Sequence, residues 1–128
     1  MPAKLVEKSI SILRSLALPA CLVALAALSW LPAKAVARTS LGGHVEHLIA
    51  YLVTATVVGL TLWNGPRLSV QCGLLILYAT VLEAGQIYAP GRHASLQDLA
   101  FSSTGVILGG LLLWMVRAVA MAQRPTGR

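Results

Sequence analysis

Four apolar runs, each about long enough to cross a bilayer, constrain this chain more than any other feature. A helix rises 1.5 Å per residue, so a hydrocarbon core of about 30 Å takes about 20 residues. The runs that meet this length are 12–31, 44–63, 69–88 and 98–119. Between them lie "LPAKAVARTSLGGH", "WNGPRLS" and "YAPGRHASLQD", each punctuated by Pro or Gly. Lipid offers no hydrogen bonds to a backbone, so such runs read as helices. The 128 residues therefore read as one domain, an all-α integral membrane four-helix bundle. Pro19 falls inside the first run, where neighbouring helices tolerate a kink.

Composition agrees. Hydrophobic residues are 57% of the chain and charged residues 11%, too little charge to coat a soluble domain. The formal net charge of +6 raises the question of nucleic acid. The basic residues flank the apolar runs, however, and no aromatics interleave with them. They read as topology signals and contacts to lipid headgroups, with no nucleic-acid partner. Cys21 and Cys72 lie within apolar runs without a spacing motif and read as small hydrophobes. Residues 1–31 also admit a rival reading as a signal peptide: Lys4, Lys8 and Arg14 precede the run, and "AVA" at 35–37 resembles a cleavage site. The run is nearly span length, which favours a first span.

Orientation follows from Lys and Arg. With four spans, Lys4, Lys8, Arg14, Arg67, Arg117, Arg124 and Arg128 share one side, and Lys34, Arg38 and Arg92 the other, seven against three. Both termini are thus expected in the cytoplasm. Glu46, Glu83 and Asp98 then all fall at the outward ends of spans, with His44, His47, Gln86, Arg92, His93 and Ser95.

The rim so formed is where chemistry would sit. Glu83 lies five residues before Tyr88, about 7–8 Å below the end of its span. An acid at that depth normally faces a bundle interior or a wet cavity. Gln86 follows on the same face. His44, His47 and Tyr51 make one stripe at i, i+3, i+7, with Tyr51 deepest and Glu46 off the stripe. Asp98 and Ser102 share a face of the last span. Asp98 can cap that helix, or Ser95 can cap it with Asp98 three residues on. Gly105 and Gly109 give that face a small-xxx-small pattern suited to close helix packing. Arg92, after a Pro-Gly turn, can pair with Glu83 or hold an anion with its planar fork. His44 and His47 with Glu83 define no metal geometry, so no metal or cofactor is expected. Ser95 lacks the G-x-S-x-G elbow of a serine hydrolase.

These residues resemble a known family. "HLIAY" at 47–51, "EAGQIYAPGR" at 83–92, "SLQDLA" at 95–100 and "GVILG" at 105–109 look like the VanZ-like membrane proteins. The match covers about 44–113, and it departs at Ser102, where many relatives carry Asn. The resemblance implies a multi-span protein of the bacterial inner membrane, in a family named for a member associated with teicoplanin resistance.

The expectation is a polar outward pocket of His47, Tyr51, Glu83, Gln86, Arg92, Ser95, Asp98 and Ser102. Its ligand would be a cell-envelope component with an anionic or glycan headgroup. Arg92 would hold the anion, while the carboxylates and amide take hydroxyls. Two alternatives stand beside it. One is an enzyme on a lipid-linked substrate, with Glu83 as general acid or base and His47 its partner. The other is an accessory membrane subunit whose polar cluster only locks the helices together.

Overall fold

The computed structural model describes residues 2–36 and 39–123. Residue 37 of the "AVA" motif, and Arg38, Arg124 and Arg128 of the charge count, lie outside them. The architecture is four helices: α1 (Pro2–Trp30), α2 (Gly43–Thr61), α3 (Leu68–Gly85) and α4 (Leu96–Ala122). Short 3₁₀ turns cover Ala33–Ala35 and Gln86–Tyr88. Among the described residues there is no strand. All four helices are long and apolar enough to cross a membrane, which makes a multi-pass architecture.

The helices follow the apolar runs, with one difference at the start. α1 begins at Pro2, ahead of the apolar run, and carries Lys4, Glu7 and Lys8 as exposed helical residues. Nothing in "AKLVEKSISILR" breaks a helix, and proline suits a first helical position. Pro19 sits inside α1 without ending it.

Packing is uneven. Only 6% of the most apolar stretch of α1 is buried, against 28% in each of the other three spans. The core is therefore built by α2, α3 and α4: Tyr51, Ala55, Val58, Leu75, Ala79, Leu82 and Val106, with Leu25 of α1 closing one side. The closest approach is α4 on α2. A Cβ at Gly105 would strike the Leu48 carbonyl and lie 3.0 Å from the Leu52 nitrogen. One at Gly109 would lie 2.8 Å from Ala55 Cβ and from the Leu52 oxygen. Apolar side chains gain little by leaving lipid for one another, so backbone proximity and dense contact do the work here.

The two ends of the bundle are finished differently. At the end away from the rim, arginines close the last carbonyls of α2. Arg14 donates to the Leu60 carbonyl at 3.1 Å and Arg117 to that of Gly59 at 3.0 Å. Arg117 also lies over the Trp63 ring, 5.0 Å from its centroid, a cation–π contact. Gln71 fastens the α2–α3 connection by donating to the carbonyls of Leu62 and Pro66. At the rim, the Trp30 indole N–H donates to the Leu82 carbonyl at 3.2 Å, and its ring lies over Gly85, where a Cβ would be 2.5 Å from Nε1. This contact ties the end of α1 to the end of α3.

Candidate functional site

The rim gathers the end of α1, the start of α2, the end of α3 and the start of α4. Two backbone features set it. Gly91 takes φ +73°, which lets the chain turn sharply after α3. Ser95 then opens α4: its hydroxyl accepts from the Asp98 N–H at 3.3 Å, placing Asp98 in the first turn.

Glu83 is 7% exposed, and its Oε1 accepts from the Ser95 backbone N–H at 2.7 Å. The acid thus links the end of α3 to the cap of α4. His44 Nδ1 meets Asp98 Oδ1 at 2.7 Å, and its ring stacks on Phe101 with centroids 5.2 Å apart. One turn deeper, His47 Nδ1 meets the Ser102 hydroxyl at 3.2 Å. Two bonds therefore join α2 to α4 above Gly105. Ligand atoms of His47, Glu83 and Asp98 lie within 4.8 Å of one another. The sequence pairs His44 and His47 with Glu83. In the fold Asp98 takes the place of His44, which is held at the outer side of that carboxylate.

Beside this cluster opens a cavity of about 330 Å³. Leu25, Leu28 and Ser29 of α1 form one wall, and His44, His47 and Asp98 stand among the residues opposite. Tyr51 and Arg92 also line it. Gln86 and Ser102 are each 2% exposed and, like Glu83 and Ser95, are not part of the lining. Among the described residues Gln86 Nε2 finds no hydrogen-bond partner. The eight residues of the expected pocket thus divide into four that face the cavity and four that sit behind or above it.

Arg92 departs most from expectation. Its Nη2 donates to the Leu28 carbonyl at 2.8 Å and its Nε to that of Leu31 at 3.3 Å, and it makes no salt bridge with Glu83. The cause is local: the last carbonyls of α1 have no intrahelical donors and are close to the turn. A cation beside them also suits the helix C-terminus. Arg92 still presents its charge to the cavity from this position.

Several contributors escape a reading of spacing. The α1 wall does, although Trp30 at the end of an apolar run marks where α1 meets the interface. Thr39 does too. Its N–H and hydroxyl donate to Glu46 Oε1 at 2.5 and 2.6 Å, holding Thr39 at the edge of the cavity. No family model, curated protein or solved structure matches the chain.

Proposed function

We propose that the chain is a VanZ-like protein of the bacterial inner membrane whose rim cavity holds a cell-envelope component through an anionic or glycan headgroup. The observation that carries this reading is the two-sided cavity: leucines of α1 on one wall, His44, His47, Asp98 and Arg92 around the rest. An amphiphile at the membrane surface presents that combination of an apolar tail and a polar head. Concave sites with apolar walls and a few convergent polar groups are the usual form of small-molecule sites. The resemblance of residues 44–113 to the family supports the same compartment and adds glycopeptide susceptibility as a phenotype to measure.

The direct test is binding of a radiolabelled polyprenyl-phosphate sugar to the purified protein in nanodiscs. Wild type should bind it, and His47→Ala should bind it at least tenfold more weakly while remaining monodisperse. The same cells should differ in teicoplanin susceptibility. Equal retention by both proteins would end the proposal. The proximity of His47 and Glu83 gives the enzyme reading its own support, and release of labelled headgroup in the same assay would select it.

Orientation belongs to this proposal. Seven Lys and Arg residues on the side of the termini against three on the rim side support a cytoplasmic location for both termini. A C-terminal green fluorescent protein should glow and a C-terminal alkaline phosphatase should be inactive. The opposite pair of results would turn the cavity inward and remove envelope headgroups as ligands.

A further inference from the structure

We infer that His47, Glu83 and Asp98 form a site for one divalent first-row cation of the Zn²⁺ class, set into the wall of the rim cavity. Each of three helices supplies one ligand: α2 gives His47, α3 gives Glu83 and α4 gives Asp98, with ligand atoms within 4.8 Å of one another. An imidazole with two carboxylates suits Zn²⁺, and Mn²⁺ next, better than Mg²⁺ or Ca²⁺, which take oxygen alone. Metal–ligand bonds of about 2.0–2.2 Å put ligand atoms roughly 3.5 Å apart, so small side-chain rotations close the shell.

A second observation points the same way. Glu83 is more than nine-tenths buried, at 7% exposure. Among the described residues its carboxylate accepts one hydrogen bond, from the Ser95 N–H at Oε1. Among the described residues no Lys or Arg lies within salt-bridge distance of Glu83 or Asp98; the ion pair at the cluster is His44 with Asp98, and Arg92 acts on Glu83 only from farther off. Two carboxylates thus converge with the His47 imidazole at the rim, and among the described residues only Asp98 has an ion-pair partner, His44. Such a group is costly unless charge is compensated. A divalent cation compensates both acids at once.

The surroundings are those of ligands already held in place. His47 is bonded at Nδ1 by Ser102, which leaves Nε2 to ligate. Asp98 is held at Oδ1 by His44 and Glu83 at Oε1 by Ser95, so each acid keeps a second oxygen. Outer partners of this kind fix the orientation of metal ligands. His47 and Asp98 line the cavity, which gives the ion a path in. Three protein ligands leave a fourth position open, where water or an anionic headgroup fits. Only that last point rests on the proposed function; occupation by the metal does not.

The test titrates Zn²⁺, and separately Mn²⁺, with no other ligand into chelator-stripped full-length protein in detergent against a chromophoric competitor. One Zn²⁺ per chain should bind and should raise the melting temperature. Glu83→Gln and His47→Gln should each weaken binding by more than about 100-fold, whereas Ser102→Ala, acting on the outer partner, should weaken it about tenfold. His93→Ala, outside the cluster, should bind as wild type. Melting without metal is recorded for every variant, so a variant that does not fold is replaced by Asp98→Asn, for which the same loss is expected. Failure of wild type to bind Zn²⁺ or Mn²⁺ would overturn the inference, as would a folded Glu83→Gln or Asp98→Asn that binds within threefold of wild type. Labelled headgroup binding that persists in chelator would leave the proposed function standing without the metal.

Discussion

Gly105→Leu should give a bundle that inserts but melts far below wild type, with a loss of about 3 kcal/mol or more. The added side chain has no room: even its Cβ would strike the Leu48 carbonyl and approach the Leu52 nitrogen at 3.0 Å. Both are backbone atoms of α2 and cannot rotate aside. α4 must move away, and the contacts of Gly109 with Ala55 and Leu52 are lost with it. Overpacking, with the backbone shifts it forces, costs about 1–3 kcal/mol for added methylenes and occasionally more; a whole leucine side chain against backbone stands at the upper end. The His44–Asp98 and His47–Ser102 bonds lie on the same pair of helices, so the rim should fail as well. Gly73→Ala is the control. Nothing lies within 4 Å of a Cβ there, so the exchange should be neutral or gain up to about 1 kcal/mol from helix propensity. Detergent melting curves of the two variants decide the matter. A Gly105→Leu protein that melts with Gly73→Ala would mean that α2 and α4 are not packed backbone to backbone.

Glu83→Leu and Glu83→Gln should differ from each other more than either resembles a surface change. Leucine removes the acceptor of the Ser95 N–H at the point where α3 joins the cap of α4. A buried donor left without a partner costs about 1–3 kcal/mol, and the part-buried Ser95 N–H should cost toward the lower end of that range. Glutamine keeps an acceptor of the same reach but no charge. It also relieves the approach of two carboxylates, so its melting temperature should stay near wild type. Headgroup retention should nonetheless fall in Glu83→Gln as it does in Glu83→Leu, because Glu83 stands behind the cavity wall within 4.8 Å of the ligand atoms of His47 and Asp98, which line it. Stability in detergent and ligand retention, read on the same two proteins, separate the roles. If Glu83→Gln is as unstable as Glu83→Leu, the charge itself holds the fold together and the site reading loses its central acid. If Glu83→Gln is stable and fully active, Glu83 does not belong to the site.

The four spans were legible because lipid makes length and composition decisive: a backbone that must satisfy itself over about 20 residues has few alternatives. The turn within "YAPGR" was legible, and Ser95 was one of two candidate caps beside Asp98, because both features rest on local chemistry. The faces of single helices could also be read, so His47 and Ser102 were each placed near the rim. What periodicity does not carry is which helix lies beside which. Asp98 joins His47 and Glu83, while His44 stays outside, because α2 and α4 meet through glycines at a particular rotation. Arg92 turned to the Leu28 and Leu31 carbonyls, and spacing gives no sign that the end of α1 would be within its reach. Trp30 over Gly85 is a contact of the same kind, fixed by packing rather than by order along the chain.

The helices also differ in length, and that difference has a direction. Gly43–Thr61 has 19 residues, while Lys4–Trp30 and Leu96–Ala122 have 27 each. At 1.5 Å per residue these are about 28 Å and about 40 Å. All three meet at the rim, so the surplus of about 12 Å emerges at the opposite end. There Arg14 and Arg117 mark the level at which α2 stops, by their bonds to Leu60 and Gly59. A lipid belt matched to the length of α2 leaves the turns of α1 before Arg14 and of α4 after Arg117 beyond it as a collar. A thicker bilayer covers more of the collar and a thinner one less.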